Sequence, residues 1–216
     1  MADIGILALQ GGIVEHQGHL ERLGVASAPV KKPDDLDGLS GLIIPGGEST
    51  CLGRLLHIYG LDRAIDAQFR AGLKLWGTCA GAILLAKRVI GGHPILGLLD
   101  IEIERNAFGS QLDSFNRLAD VPAVAPEAIP LTFIRAPKIT GLGPGVRSLL
   151  QIDDFHAAAE DAAVLVTVFH PELTPSLAFH RYFAKKCGIE TRERDDAAWR
   201  PADWTKYAPL PQRRAG

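Results

Sequence analysis

The sequence predicts an α/β fold, a three-layer sandwich with a central mixed, mostly parallel sheet flanked by helices. Three observations predict it. Short apolar runs such as "DIGILALQ", "GLIIPGG" and "LKLWGTC" alternate with longer amphipathic stretches. Fully apolar runs bounded by glycine read as strands buried on both faces, and the helical stretches between them suit parallel crossovers. With 216 residues and 47% hydrophobic content, the chain is long enough for one well-buried core.

Taken in order, "DIGILALQ" is a buried strand. "VEHQGHLERLG" is a helix with Val14, Leu20 and Leu23 inward and Gly24 at its end. "GLIIPGG" is the second strand, followed by the helical stretch "LGRLLHIYGLDRAIDAQFRAG", interrupted at Gly60. "LKLWGTC" is a strand and "AGAILLAKRV" a helix. In the second half, "LLDIEIERN", "LTFIRAP", "RSLLQID" and "AAVLVTVFH" read as strands extending the same sheet, with little helix between them. "TPSLAFHRYFAKKCG" is a helix with Thr174 as N-cap, Pro175 at N1, Lys185 and Lys186 in the last turn and Gly188 at C′. Residues 1–189 form one domain. Residues 190–216 are a charged extension carrying Trp199 and Trp204, either partly docked or disordered.

Composition narrows the function. A net charge of −2 implies no basic face for nucleic acid. Three cysteines without C-x-x-C spacing argue against a disulfide scaffold or a zinc site and fit a reducing, cytoplasmic setting. No apolar run approaches membrane-spanning length, and the N-terminus has no secretory pattern.

Chemistry concentrates at "GTCAG", residues 77–81. A lone cysteine is often a small buried hydrophobe. A strand ending in G-x-C-x-G and restarting as a helix, however, has the spacing of a nucleophile elbow with Cys79 as nucleophile. The helix N-terminus that follows would support negative charge on sulfur, and its first N–H can face an oxyanion. Among seven histidines, His170 leaves the end of an apolar strand in "VLVTVFHPEL", with Glu172 two residues on and Pro171 stiffening the link. A carboxylate on one ring nitrogen leaves the other free to take a thiol proton. The same H-P-E could also be an ordinary turn. His16 and His19 lie three apart beside Glu15, without a third metal ligand, and read as a solvated helix face. His57 and His180 fall within helices, and His93 and His156 in connections. Cys51 and Cys187 read as structural.

Together with "LALQG…EH", "PGGEST", "RNAFG…Q.DSF", "FIRAP" and "FHPEL", these residues resemble the class I, triad-type glutamine amidotransferases. More narrowly, they are similar to the glutaminase subunits of pyridoxal 5′-phosphate synthases. The resemblance implies a flavodoxin-like fold and a Cys79–His170–Glu172 triad that hydrolyses L-glutamine to glutamate and ammonia through a glutamyl thioester. It implies glutamine contacts from Gly47, Glu48, Ser49, Arg105, Ile134 and Arg135, with oxyanion donors at Gly47 and Ala80. It also implies a synthase subunit as protein partner in a large hetero-oligomer, and neither metal nor cofactor in the glutaminase itself. "LQGGIVEH" is a docking segment on this reading, although Gln10 and Gly11 can equally form a simple turn. Ser110 and Asn116 stand where the family pattern has charged residues. Other readings remain: a peptidase-like hydrolase, an inactive assembly subunit, or an amidotransferase serving a different acceptor.

Overall fold

The computed structural model describes residues 2–105 and 114–193. Its elements run β1 (Ile4–Leu7), α1 (Ile13–Arg22), β2 (Ser27–Val30), β3 (Gly41–Ile44), α2 (Ser49–Ile58), α3 (Leu61–Arg70), β4 (Lys74–Thr78) and α4 (Ala80–Leu85). Then come β5 (Ala86–Ile90), β6 (Leu99–Glu104), β7 (Phe115–Ala119), β8 (Ile129–Phe133), β9 (Lys138–Leu142), β10 (Arg147–Ile152), β11 (Phe155–Glu160), β12 (Val164–Thr167) and α5 (Ala178–Lys186).

The main sheet has the order β2-β1-β3-β4-β12-β11-β9-β6-β5, with β10 branching from β11. The first five strands are parallel throughout, and their order has the doubly wound, flavodoxin-like pattern. β1, β3, β4 and β12 are four or five residues each and almost wholly buried, as the apolar runs require, while the edge strand β2 is only partly buried. Right-handed crossovers leave β1 and β3 in opposite directions, so α1 covers one face and α2 and α3 the other. Beyond β12 the pairing turns antiparallel through β11, β9 and β6. Tight connections suffice there, which is why the second half carries little helix. Trp76 on β4 is fully buried; its indole N–H donates to Thr167 Oγ1 on β12 at 3.3 Å.

Several expectations need correction. The helix of "AGAILLAKRV" stops at Leu85, because Ala86–Ile90 pairs with β6 and covers an edge that would otherwise be open. "LTFIRAP" does not extend the main sheet. Among the described residues its strand, β8, pairs with β7 alone, in a separate two-stranded sheet. α5 begins at Ala178, three residues after Pro175, while Thr174 Oγ1 donates to the Pro171 carbonyl. Gly188 does occupy the left-handed closing position, with φ 75°. On α1, Val14 is 74% exposed, and the inward face is His16, His19, Leu20 and Leu23. His16 and His19 are therefore buried, not solvated. Hydropathy favoured Val14, but the neighbouring α5 offers His180 as a polar partner, so a polar face turns inward.

Candidate active site

Thr78 pairs with Thr167, so β4 and β12 end side by side, and the Cys79 N–H donates to the Thr167 carbonyl at 2.8 Å. Cys79 and His170 thus leave the same rim of the sheet. Cys79 sits at the junction between β4 and α4 with φ 50°, the left-handed region that non-glycine residues rarely occupy. The flanking glycines are sterically required. A Cβ on Gly81 would lie 2.0 Å from the Ile44 carbonyl oxygen, and one on Gly77 2.5 Å from the backbone of Gly81. The strand and helix press together, and Cys79 is left at the rim, 8% exposed as a residue.

His170 is anchored from the small sheet. Its N–H donates to the Thr132 carbonyl at 2.8 Å, and β8 then delivers Ile134 and Arg135 to the same place. The His170 Nδ1–H donates to Glu172 Oε1 at 2.8 Å. A buried carboxylate can only accept, so this contact fixes the tautomer and turns the other ring nitrogen away from Glu172. Burial alone would push the His170 pKa down. The neighbouring Cys79 sulfur and the Glu172 carboxylate outweigh it and hold the ring well above the ordinary imidazole value. Burial likewise tends to raise Glu172, yet His170, and after it His16, draw its pKa down to about 2. The site therefore stabilises the imidazolium that forms when the ring takes the Cys79 proton, with Glu172 ionised behind it.

A cavity of about 420 Å³ opens onto these groups, within the range of small-ligand sites. It is lined by all ten residues picked out from the sequence: Cys79, His170, Glu172, Gly47, Glu48, Ser49, Ala80, Arg105, Ile134 and Arg135. Glu48 accepts from the Thr50 and Cys51 N–H groups at 2.9 and 2.7 Å and so caps α2. Those two backbone donors keep its carboxylate below the ordinary range. Arg105 Nη2 donates to Thr50 Oγ1 at 3.2 Å and lies 3.5 Å from Glu48 Oε1. Arg135 is exposed, with φ 44°, and its N–H donates to Ser114 Oγ at 3.3 Å. Asn116 accepts from the Thr132 hydroxyl at 2.8 Å, whereas Ser110 lies outside the described residues, as do Trp199 and Trp204.

Two groups gain significance only from the fold. Gln10 Oε1 accepts from the Glu48 N–H at 3.1 Å, and its Nε2 donates to Cys51 Sγ at 3.2 Å, so it holds the glycine loop from behind. A Cβ on Gly11 would meet the Gly46 carbonyl at 2.1 Å. The signal was the Q-G-G sequence facing P-G-G, but a separation of 38 positions between Gln10 and Glu48 hid it. The second group is the histidine cluster on α1 and α5, whose spacing suggested solvent. The remaining histidines stand apart: His57 pairs with Asp62 and His156 with Ser148. Among the described residues no group of side chains is arranged to hold a metal ion, and no helix is long and apolar enough to cross a membrane.

Comparison with known proteins agrees with this geometry. A pyridoxal 5′-phosphate synthase subunit PdxT from Syntrophus aciditrophicus is 56% identical over 95% of this chain and 94% of its own. The protein of that name from Deinococcus radiodurans is 49% identical over 86% of this chain and 97% of its own. A crystal structure of a glutamine amidotransferase superposes with a TM-score of 0.82 at 42% identity, covering 87% of this chain and all of the other. PurLQS from Thermotoga maritima, at 17% identity and a TM-score of 0.60, shares the fold. The sequence model of the SNO glutamine amidotransferase family matches residues 6–189. With an elbow cysteine, a carboxylate-held histidine and a cavity before them, the chain belongs to the SNO glutamine amidotransferase family.

Proposed function

We propose that this protein is the glutaminase subunit of a pyridoxal 5′-phosphate synthase, hydrolysing L-glutamine in the cytoplasm and passing ammonia to a synthase partner. The observation that carries the reading is the convergence of Cys79, His170 and Glu172 on one cavity at the ends of adjacent parallel strands. His170 takes the thiol proton, and the sulfur attacks the side-chain amide carbon of glutamine. The Ala80 and Gly47 N–H groups receive the developing oxyanion. As the tetrahedral species collapses, His170 returns the proton to the departing ammonia, leaving a glutamyl thioester. Water, deprotonated by the same ring, then releases glutamate. Glu172 holds the ring and stabilises its cationic form. Arg105 and Arg135 suit the substrate carboxylate and Glu48 its ammonium, with Ser49 and Ile134 completing the wall.

The Gly46–Gly47 peptide can reorient cheaply, which makes the second oxyanion donor a switch set by partner docking at "LQGGIVEH". One such donor is worth about 3–4 kcal/mol. The catalytic domain spans residues 1–189, and 190–216 are an extension to it. The test measures glutamate release by wild type and Cys79→Ala, each alone and with the cognate synthase subunit. Activity is expected to be low alone, raised by the partner and abolished by the substitution. Release that survives loss of the thiol would refute the reading, and equal rates with and without the partner would refute the switch.

A further inference from the structure

The buried histidines on α1 and α5 lie directly behind the cavity. Glu172 spends Oε1 on His170; its Oε2 faces His16 Nε2 at 3.5 Å. Neither of those two facing atoms has a hydrogen-bond partner among the described residues, and both side chains are essentially inaccessible to water. On the far side of the ring, His16 Nδ1 meets His180 Nε2 at 2.8 Å. We propose that His16 and His180 extend the Cys79–His170–Glu172 array as positioning residues: His180 sets the tautomer of His16, whose Nε2–H holds the second oxygen of Glu172. The inference rests on the glutaminase reading of the site and concerns its regulation of charge.

Proton placement decides the argument. Two imidazole nitrogens 2.8 Å apart share one proton between them, so one ring donates and the other accepts. If His16 donated from Nδ1, its bare Nε2 would turn a lone pair toward a buried carboxylate oxygen, leaving a buried anion half-satisfied. If His180 donates from Nε2, His16 accepts at Nδ1 and carries its proton on Nε2, facing Glu172. Only this second arrangement gives the carboxylate a donor on each oxygen. It leaves His180 Nδ1 as a bare acceptor, consistent with its having no partner among the described residues, and an orphaned acceptor is tolerated better than an orphaned N–H.

Both rings are neutral at working pH. Burial pulls His16 down to about 4, against a smaller upward pull from Glu172, and burial pulls His180 well below the ordinary value. The titratable groups that bear on them are Glu172 and His170 from the segment after β12, His19 and Arg22 on α1, and Cys79 beyond His170. β4 contributes the Trp76 ring, which contacts both edge-on and does not titrate in this range. His19 is engaged separately, by the carbonyls of Glu15 and Thr174 at 2.9 Å each. His16 is thus a neutral donor that keeps Glu172 ionised and aimed without adding a positive charge that would compete with the His170 imidazolium.

The test has two arms. Ring 15N shifts of the full-length wild-type protein, recorded from pH 6 to 8 and assigned with His16→Gln, are expected to show the Nε2–H tautomer at both His16 and His180. In the complex with its synthase partner, His16→Leu is expected to lower kcat about tenfold with little change in KM. It should also move the alkaline limb of the glutamate-release profile down by about one pH unit, since one unit is a tenfold change in the proton equilibrium. His16→Gln, which keeps an N–H near the Nε2 position, should restore most of both. A merely structural role would lower thermal stability and leave the limb where it is. An Nδ1–H tautomer at His16, or an unmoved limb in a folded His16→Leu protein, overturns the proposal. If His16→Leu fails to fold, the tautomer measurement decides alone. The tautomers are read without turnover, so failure of the glutaminase reading itself, shown by Cys79→Ala, remains distinguishable.

Discussion

Replacing Glu172 by glutamine tests the electrostatics of the site at nearly constant shape. The amide oxygen can still accept from His170 Nδ1–H, now at 2.8 Å from Glu172 Oε1, so ring orientation is largely kept. What goes is the charge. Burial by itself would raise the carboxyl, but His170 and then His16 draw it from the ordinary 4.5 to about 2. That net difference corresponds to about 3 kcal/mol in favour of the ionised form, the pull of its neighbours outweighing the cost of burial. If that pull stabilises the imidazolium that forms as the thiol loses its proton, removing it slows the chemical step on the order of 10²-fold. The assay is glutamate release with the synthase partner, followed from pH 6 to 10. Glu172 is one of the two groups that hold the His170 imidazolium against burial, so the alkaline limb should move to lower pH in the variant. KM for glutamine should change little, because no substrate contact is removed. A folded Glu172→Gln enzyme with wild-type kcat and an unmoved alkaline limb would refute the role assigned to the carboxylate.

Gly81→Ala should cost about 2–4 kcal/mol of stability, read from urea midpoints, since its Cβ would sit 2.0 Å from a backbone carbonyl that cannot step aside. Arg105→Gln should raise KM for glutamine about tenfold and change kcat less, as expected for lost charge-assisted binding in steady-state assays. Stability should be greatest near neutral pH. Below about 6.5 the unfolded chain protonates His16 while the folded chain resists down to about 4, so stability falls as pH falls through that window. From about 4.5 toward 2 the loss of Glu172 adds to the fall. Above 6.5 the raised His170 acts oppositely, its contribution present at lower pH and lost as pH climbs through its folded value. Denaturant midpoints across pH 3 to 9 check the shape, and a curve flat below pH 6.5 would contradict it.

Much of the architecture was legible because buried parallel strands must be short and apolar, and glycine is forced wherever backbones touch. Gly77 and Gly81 marked the elbow for that reason, and His170-Pro171-Glu172 marked its partner through two-residue spacing. The α1 face was misread because hydropathy ranks Val14 above His16, and the ranking fails when the surface opposite offers a hydrogen bond. β8 was misassigned because a strand's own residues do not say which neighbour it pairs with; that depends on β7, a segment with no strong pattern.

The sequence alone determined the class of fold and marked Cys79, His170 and Glu172 as candidates for nucleophile, base and orienting carboxylate, since each signal is encoded within a few adjacent positions and constrained by local sterics. Only the tertiary structure decided that β4 and β12 are neighbours, that Gln10 braces the loop at Glu48, and that His16 and His180 close in behind Glu172. Those relations join residues up to 164 positions apart, and burial, which no local pattern records, is what gives their polar atoms a reason to meet.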